Sequence, residues 1–178
     1  AAVVIELIQG GTGFITITND FLKKIREKCN ETGTLLIFDE IQTCYGRLGT
    51  LFGFEKYEVT PDILCIAKGM GAGMPIGAFI SSWELMNLLT FEPKLGHITT
   101  FGGHPVVMAA GLKNIEILER EGLVQNSAEI GNYLYEKALG VLQENHPSVG
   151  FVGGGMGLLM NIELVQNRKS KERFEGGF

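Results

Sequence analysis

Cysteine and histidine are scarce in this 178-residue chain, which holds three of each. Cys29, Cys44 and Cys65 are an odd, scattered set without metal-ligand spacing. They give no disulfide framework and no metal site, and the reducing cytoplasm is the natural compartment. Long apolar runs are absent as well: none approaches the roughly 20 residues of a membrane span, and no signal peptide is visible. A membrane partner is therefore not expected. Basic charge is in deficit, with 15 Lys and Arg against 20 Asp and Glu and a formal charge of -5. Without a basic stripe, nucleic acid is not expected as the main partner. No G-x-G-x-x-G follows a strand in the required way and no Walker lysine segment exists, which counts against a nucleotide-binding module. There is no internal repeat, and the chain opens directly on an apolar run without a methionine.

What is present is ordinary globular composition, 45% hydrophobic and 20% charged, in a length that suits one medium domain or a domain and a half. Glycine is the exception. The 25 glycines gather at residues 10–13, 46–53, 69–77, 102–103 and 153–157. Such clusters fit either close approach of backbone to a ligand or plain turn geometry.

Two apolar runs organise the chain. Residues 35–38 (Leu-Leu-Ile-Phe) stop on Asp39, and residues 63–67 (Ile-Leu-Cys-Ile-Ala) stop on Lys68. Short apolar runs bounded by polar residues predict buried parallel strands of an α/β fold. In such a sheet the ligand crevice lies beyond the carboxyl ends of the strands, where Asp39 and Lys68 sit. Taken alone, the pair fits a buried salt bridge better than a site.

The remaining elements follow in order. Residues 2–8 predict a buried strand interrupted by Glu6. Asp20 caps a helix over 20–31 whose apolar face is Phe21, Leu22, Ile25 and Cys29, with Lys23, Lys24, Arg26 and Lys28 in water and Gly33 as the stop. Strand, helix, strand makes a right-handed crossover. A short helix is expected over 51–57, a turn at 74–77 into a strand over 78–80, and a short helix over 83–89 capped by Ser82. Pro105 opens a helix running to Arg120 with a stripe of Val107, Ala110, Asn114, Ile117 and Leu118. A further helix over 124–144 carries Ile130, Leu134, Val141 and Leu142. The glycines at 153–157 then lead into a strand over 158–164, and a charged tail without apolar periodicity covers 168–178.

The motifs at the strand ends are more specific than the strands. Asp39-Glu40-Ile41-Gln42-Thr43-Cys44-Tyr45-Gly46-Arg47-Leu48-Gly49 resembles a segment of the class III (ω-amino) aminotransferases, enzymes of the acetylornithine, ornithine and 4-aminobutyrate type. Pro61-Asp62-Ile63-Leu64-Cys65-Ile66-Ala67-Lys68-Gly69 resembles their lysine segment, and Thr99-Thr100-Phe101-Gly102-Gly103-His104-Pro105 their Thr-Phe-Gly-Gly-Asn-Pro. Three such matches in the right order and spacing are a strong signal.

The resemblance implies a fold type I pyridoxal-phosphate transferase. The chain would be the central part of the large domain (a mostly parallel sheet flanked by helices, residues 1–121) and the start of the C-terminal small domain (122–178). It also implies an internal fragment, since family members are commonly more than twice this length, with the likeness covering residues 1–164 and not the tail. Pyridoxal 5'-phosphate is the implied cofactor. Lys68 is its Schiff-base lysine, and Asp39 pairs with the pyridine nitrogen. Ile41 presses on a ring face, Gln42 reaches the phenolic oxygen, and Thr100, in preference to Thr99, binds the phosphate across a homodimer interface. A lysine that attacks an aldehyde must lose a proton, and Ile66, Ala67 and Met70 would supply the apolar setting that lowers its pKa. Glu40 should point to the opposite side and pair with a neighbouring base. Arg47 braces its loop.

The reaction implied is transfer of an amino group from an ω-amino donor to a 2-oxo acid such as 2-oxoglutarate. An aminomutase or decarboxylase of the same family, or an inactive fragment that only packs or dimerises, are the alternatives. There are departures from the family pattern: Gly11 stands where a second acid is common, which bears on substrate choice, while His104 replaces Asn, Cys44 replaces Gly and Gly154 stands where Arg is common; none touches Lys68, Asp39, Gln42 or Thr100.

Overall fold

The computed structural model describes residues 1–92, 94 and 96–175; positions 93 and 95 and the last three residues of the expected tail lie outside the described residues. The first half contains β1 (Ala2–Ile5), β2 (Ile8–Gln9), β3 (Ile15–Thr16), α1 (Asn19–Thr32), β4 (Leu35–Asp39), β5 (Ile63–Ile66) and β6 (Ala78–Ser81). The second half contains α2 (Trp83–Asn87), α3 (Pro105–Arg120), α4 (Leu123–Leu134), α5 (Gly140–Asn145), β7 (Val149–Met156) and β8 (Leu159–Leu164).

The main sheet runs β1-β4-β5-β6, with the first three strands parallel and β6 antiparallel to β5. Asp39 pairs in register with Cys65, so the two apolar runs do end at the same edge of adjacent parallel strands. Burial alternates along them. Leu36 and Phe38 are wholly buried and Leu64 and Ile66 nearly so, while Ile37, Ile63 and Cys65 are only partly covered. One face of this sheet thus makes the core, with Leu22 and Cys29 of α1, Leu7 and Tyr57 packed on it. The expected strand over 2–8 is shorter and less buried than its apolar content implies. It stops at Ile5, occupies the sheet edge and leaves Val4 65% exposed. Residues 8 and 9 leave it to pair with β3 instead.

α1 begins one residue before the expected cap. Thr18, not Asp20, is the N-cap, its hydroxyl accepting from the Phe21 amide at 3.4 Å. Gly33 ends the helix in the left-handed conformation, as a C-terminal glycine should. Two side chains trade places relative to expectation. Phe21 is exposed, whereas Arg26 turns inward to Asp62. The reason is Asp62, which precedes β5 and accepts from the Leu36 amide at 2.6 Å and from Arg26 at 2.9 Å, tying α1, β4 and β5 together.

Burial works to raise the Asp62 carboxyl, but the Leu36 amide and the Arg26 hydrogen bond and charge outweigh it, and the net shift is downward. Asp62→Ala is expected to cost about 2 kcal/mol at neutral pH, because it strands Arg26 and an amide. A lowered carboxyl stabilises the fold above its unfolded value and stops doing so as pH falls through the folded one. Urea titrations should therefore show the gap between parent and variant closing below the ordinary value of 3.8. A gap that persists in acid would assign the loss to packing.

Ser82 caps α2 through the Leu85 amide, and Pro105 occupies the first turn of α3. The expected helix over 124–144 is α4 and α5 joined by a π-helical turn, Tyr135–Leu139. Its apolar stripe faces outward: Ile130 and Val141 are more than 40% exposed. The buried positions are the small ones, Ser127 and Gly131. A Cβ at Gly131 would run into the Gly157 carbonyl, so only glycine admits the hairpin there. The glycines at 153–155 belong to β7 itself rather than to a loop before β8, and left-handed Gly154 and Gly155 coincide with an irregularity in its pairing with β8.

Candidate functional site

The site begins where β4 and β5 end. The Glu40 amide donates to the Cys65 carbonyl at 2.9 Å, the last link between the two strands before the chain turns away. Asp39 is half-buried, and its Oδ1 accepts from the Ile41 amide at 3.0 Å. Glu40 points elsewhere, as expected, but pairs with no base among the described residues. It is wholly buried and accepts from the Phe54 amide at 2.8 Å, the Thr43 hydroxyl at 3.0 Å and the Gly53 amide. Burial pushes its carboxyl up in spite of the lowering by those three donors. Its position thirteen residues from Gly53 makes it the clip that closes the loop after β4.

After β5 the chain enters a single 3-10 turn, Lys68–Gly71, in which the Met70 amide donates to the Ala67 carbonyl at 3.0 Å. Lys68 has φ +43°, a left-handed conformation that costs a residue with a Cβ about 1–3 kcal/mol. Tyr45 (φ +56°) and Phe14 (φ +57°) share that conformation. All three line one cleft of about 370 Å³, together with Gln42, Arg47 and Met160. That volume falls in the range of small-molecule sites. Half of the six non-glycine residues with positive φ among the described residues therefore border this cleft. Strained backbone gathers where structure is held for function rather than for stability.

The structure brings Lys68 and Gln42 into the cleft, with Gln42 packed against Gly10 so closely that a Cβ there would overlap its side-chain oxygen. Asp39 and Ile41 lie half-buried at the adjoining strand end and do not line it. Thr100 sits in an exposed turn and does not line it either. No ion pair joins Asp39 to Lys68 among the described residues, so the salt-bridge alternative is not what the two groups form. The apolar setting expected for Lys68 is also not found, because the residue is exposed: Ile66 is buried in the core and Met70 packs against that core.

Phe14, Tyr45 and Met160 were not read as site residues from the sequence. Tyr45 lies inside the Asp39 motif, where its position was a usable signal; Phe14 and Met160 carry none. Cys44 lies beside them, its thiol donating to the Ala67 carbonyl at 3.7 Å and pushed up by burial to about 11. It is a protonated packing group at neutral pH, not a nucleophile.

A mostly parallel sheet with an amine, a carboxylate and an amide gathered at its carboxyl edge defines an α/β protein that takes its ligand beyond the strand ends. The chain belongs to the class III aminotransferase family, whose model matches residues 1–176. The match runs through most of the charged tail, which corrects the expectation that the likeness stops at residue 164. Among its relatives, a putrescine aminotransferase of Pectobacterium atrosepticum is 42% identical over 168 residues, covering 94% of this chain and 36% of that protein. An Arabidopsis thaliana protein named as a mitochondrial alanine–glyoxylate aminotransferase 2 homolog is 39% identical over 96% of this chain and 35% of its own length. A Bacillus anthracis aminotransferase structure superposes with a TM-score of 0.90 at 39% identity, over 99% of this chain and 40% of that one. A thermostable (S)-enantioselective omega-transaminase from Thermomicrobium roseum gives the same score and identity over 98% and 39%. The chain thus spans little more than a third of the length of the curated relatives it matches. The fold is that of the pyridoxal-phosphate transaminases, and pyridoxal 5'-phosphate is the cofactor of this class.

Proposed function

We propose that the protein to which this chain contributes is a pyridoxal-phosphate aminotransferase that moves an amino group from an ω-amino donor to a 2-oxo acid such as 2-oxoglutarate. The observation that carries the reading is the cleft in which a left-handed Lys68 stands beside Gln42, next to the strand end that carries Asp39. The donor set fits the cofactor. An amine suits an aldehyde, a carboxylate suits a protonated ring nitrogen, and an amide suits a phenolic oxygen. When bound, pyridoxal phosphate supplies the carbonyl for amine exchange and a cationic ring that withdraws electrons.

The roles of the chain's own groups follow. Lys68 Nζ holds the cofactor and, once released, moves a proton as general base. Asp39 keeps the ring nitrogen protonated through its carboxylate, Gln42 donates to the phenolic oxygen, and Ile41 gives an apolar surface to the ring. Residues 1–121 serve as the cofactor-binding part, and those from 122 onward begin the second domain. The name of the putrescine relative supports a diamine or ω-amino acid donor. Three free thiols, two of them buried, suit a reducing compartment, the cytoplasm in our reading. No helix among the described residues is long and apolar enough to cross a membrane.

Thr100 binds the cofactor phosphate of a partner subunit, so that a homodimer shares its sites. What supports this is its exposure and that of the large apolar side chains beside it in the chain: Phe101 is 79% exposed and Ile98 74%. Patches of this kind mark association surfaces. Sedimentation equilibrium should give a dimer, and Thr100→Ala should weaken cofactor retention while the dimer persists. A cofactor-loaded monomer would refute the shared site.

The test of the whole reading is reconstitution with pyridoxal phosphate followed by donor profiling. A visible absorption band with amino transfer from diamines or ω-amino acids is expected. A band with decarboxylation or amino migration instead would select the alternative chemistries, and no band would leave a packing role.

A further inference from the structure

We propose that Asn114 is a positioning residue for Lys68, holding from α3 the peptide carbonyl that follows the lysine and so fixing the backbone that presents its amine. The inference rests on the reading of Lys68 as the cofactor lysine.

Lys68 lies between two carbonyls, and each is held by a side chain from a different element. On the near side, the Cys44 thiol donates to the Ala67 carbonyl at 3.7 Å. On the far side, Asn114 Nδ2 donates to the Gly69 carbonyl at 2.6 Å and reaches the Met70 carbonyl at 3.5 Å. The sulfur contact is long and weak, while the amide contact is short and forked.

The approach is built in on both sides. A Cβ at Gly111, one turn before Asn114, would lie 3.4 Å from the Met70 carbonyl, so the glycine lets the helix come close to the turn. A Cβ at Gly69 would lie 3.1 Å from the Cβ of Tyr45, which leaves the turn no room to withdraw. The lysine itself is in the left-handed region, which a lysine does not choose unaided. The Gly69 carbonyl belongs to the peptide that leads out of the lysine's turn, and the amide of Asn114 is the side-chain group that opposes its rotation. Asn114 is half-buried on a stripe whose other members are Val107, Ala110, Ile117 and Leu118; it is the polar residue of that stripe. A helix–turn contact made for packing alone would be served by an apolar side chain, so the amide at this position answers to the carbonyl.

The test uses Asn114→Asp and Asn114→Gln in the protein reconstituted with pyridoxal phosphate. Aspartate keeps the shape and loses the donor; glutamine keeps the donor on a longer arm. Borohydride reduction and peptide mapping first locate the label. With the label on Lys68, Asn114→Asp is expected to lower the visible circular dichroism of the cofactor and to speed amide exchange at residues 70–72 in the cofactor-free protein. It should cut kcat by about tenfold to a hundredfold with KM changed by less than about twofold, as a misaimed reacting group does. Asn114→Gln should recover most of each signal. If Asn114→Asp does not fold, Asn114→Ala decides by the same readouts. A lower Tm with exchange, circular dichroism and kcat unmoved marks a packing role and overturns the proposal while the lysine reading stands. A label found away from Lys68 in the parent overturns both.

Discussion

Lys68→Ala is expected to abolish covalent retention of the cofactor and to lower turnover by roughly 10⁴-fold, the upper end of what a positioned proton-transfer group supplies. The fold should survive the change. Lys68 is exposed and makes no ion pair among the described residues, so its amine contributes little to stability. Alanine also keeps a Cβ, so the left-handed backbone is as strained in the variant as in the parent. Surface changes of this type fall within about 0.5 kcal/mol. Activity and stability are therefore expected to separate, which they would not do if Lys68 were an ordinary solvated flank. The check is borohydride reduction of the parent followed by peptide mapping, with thermal melts of both proteins. A pyridoxyl label on Lys94 or Lys113 would sink the assignment, as would a variant that retains near-normal turnover.

The strand ends were legible because two apolar runs stop abruptly on charge, and the pairing of Asp39 with Cys65 shows that they stop together. Gly33, Ser82 and Pro105 were legible for a related reason: each acts on the few residues beside it. What the sequence hid is non-local. Glu40 sits next to a motif residue, yet its partners are the amides of Gly53 and Phe54, which only the closed loop brings within reach. The Arg26–Asp62 pair spans 36 positions and overrode a helical wheel that put Arg26 in water. The glycines at 153–155 read as a loop because glycine is a poor strand former. They pair in β7 because their neighbours leave no space for side chains: a Cβ at Gly153 would meet Asn161 and the Gly13 carbonyl, one at Gly154 the Leu159 carbonyl, and one at Gly155 the Tyr135 ring. The left-handed conformations of Phe14, Tyr45 and Lys68 had no signature at all, since each residue type normally avoids it. The cleft was therefore half visible: its lysine, its amide and the wall from Cys44 to Arg47 were in motifs, and Phe14 and Met160 were not.

Asp39→Asn should leave the protein folded and cut turnover by roughly 10²- to 10³-fold, the range for removing one fixed charge or donor from a reacting centre. Of the two carboxylate oxygens, Oδ1 is engaged by the Ile41 amide at 3.0 Å, and an asparagine oxygen can accept that bond equally well. The turn after β4 is thus preserved. The other oxygen has no partner among the described residues and is the one available to a ring N–H. Asparagine has the shape for that contact but not the charge. In the role proposed for Asp39, loss of the carboxylate would remove the partner that favours a protonated ring nitrogen, and an unprotonated ring withdraws electrons less strongly. The effect should fall on kcat more than on KM, because the charge matters most when electron density moves onto the ring. Steady-state kinetics with urea denaturation would separate the two consequences. A variant with near-normal kcat would show that Asp39 serves the turn alone. A variant that loses several kcal/mol of stability would show that its second oxygen is occupied within the fold.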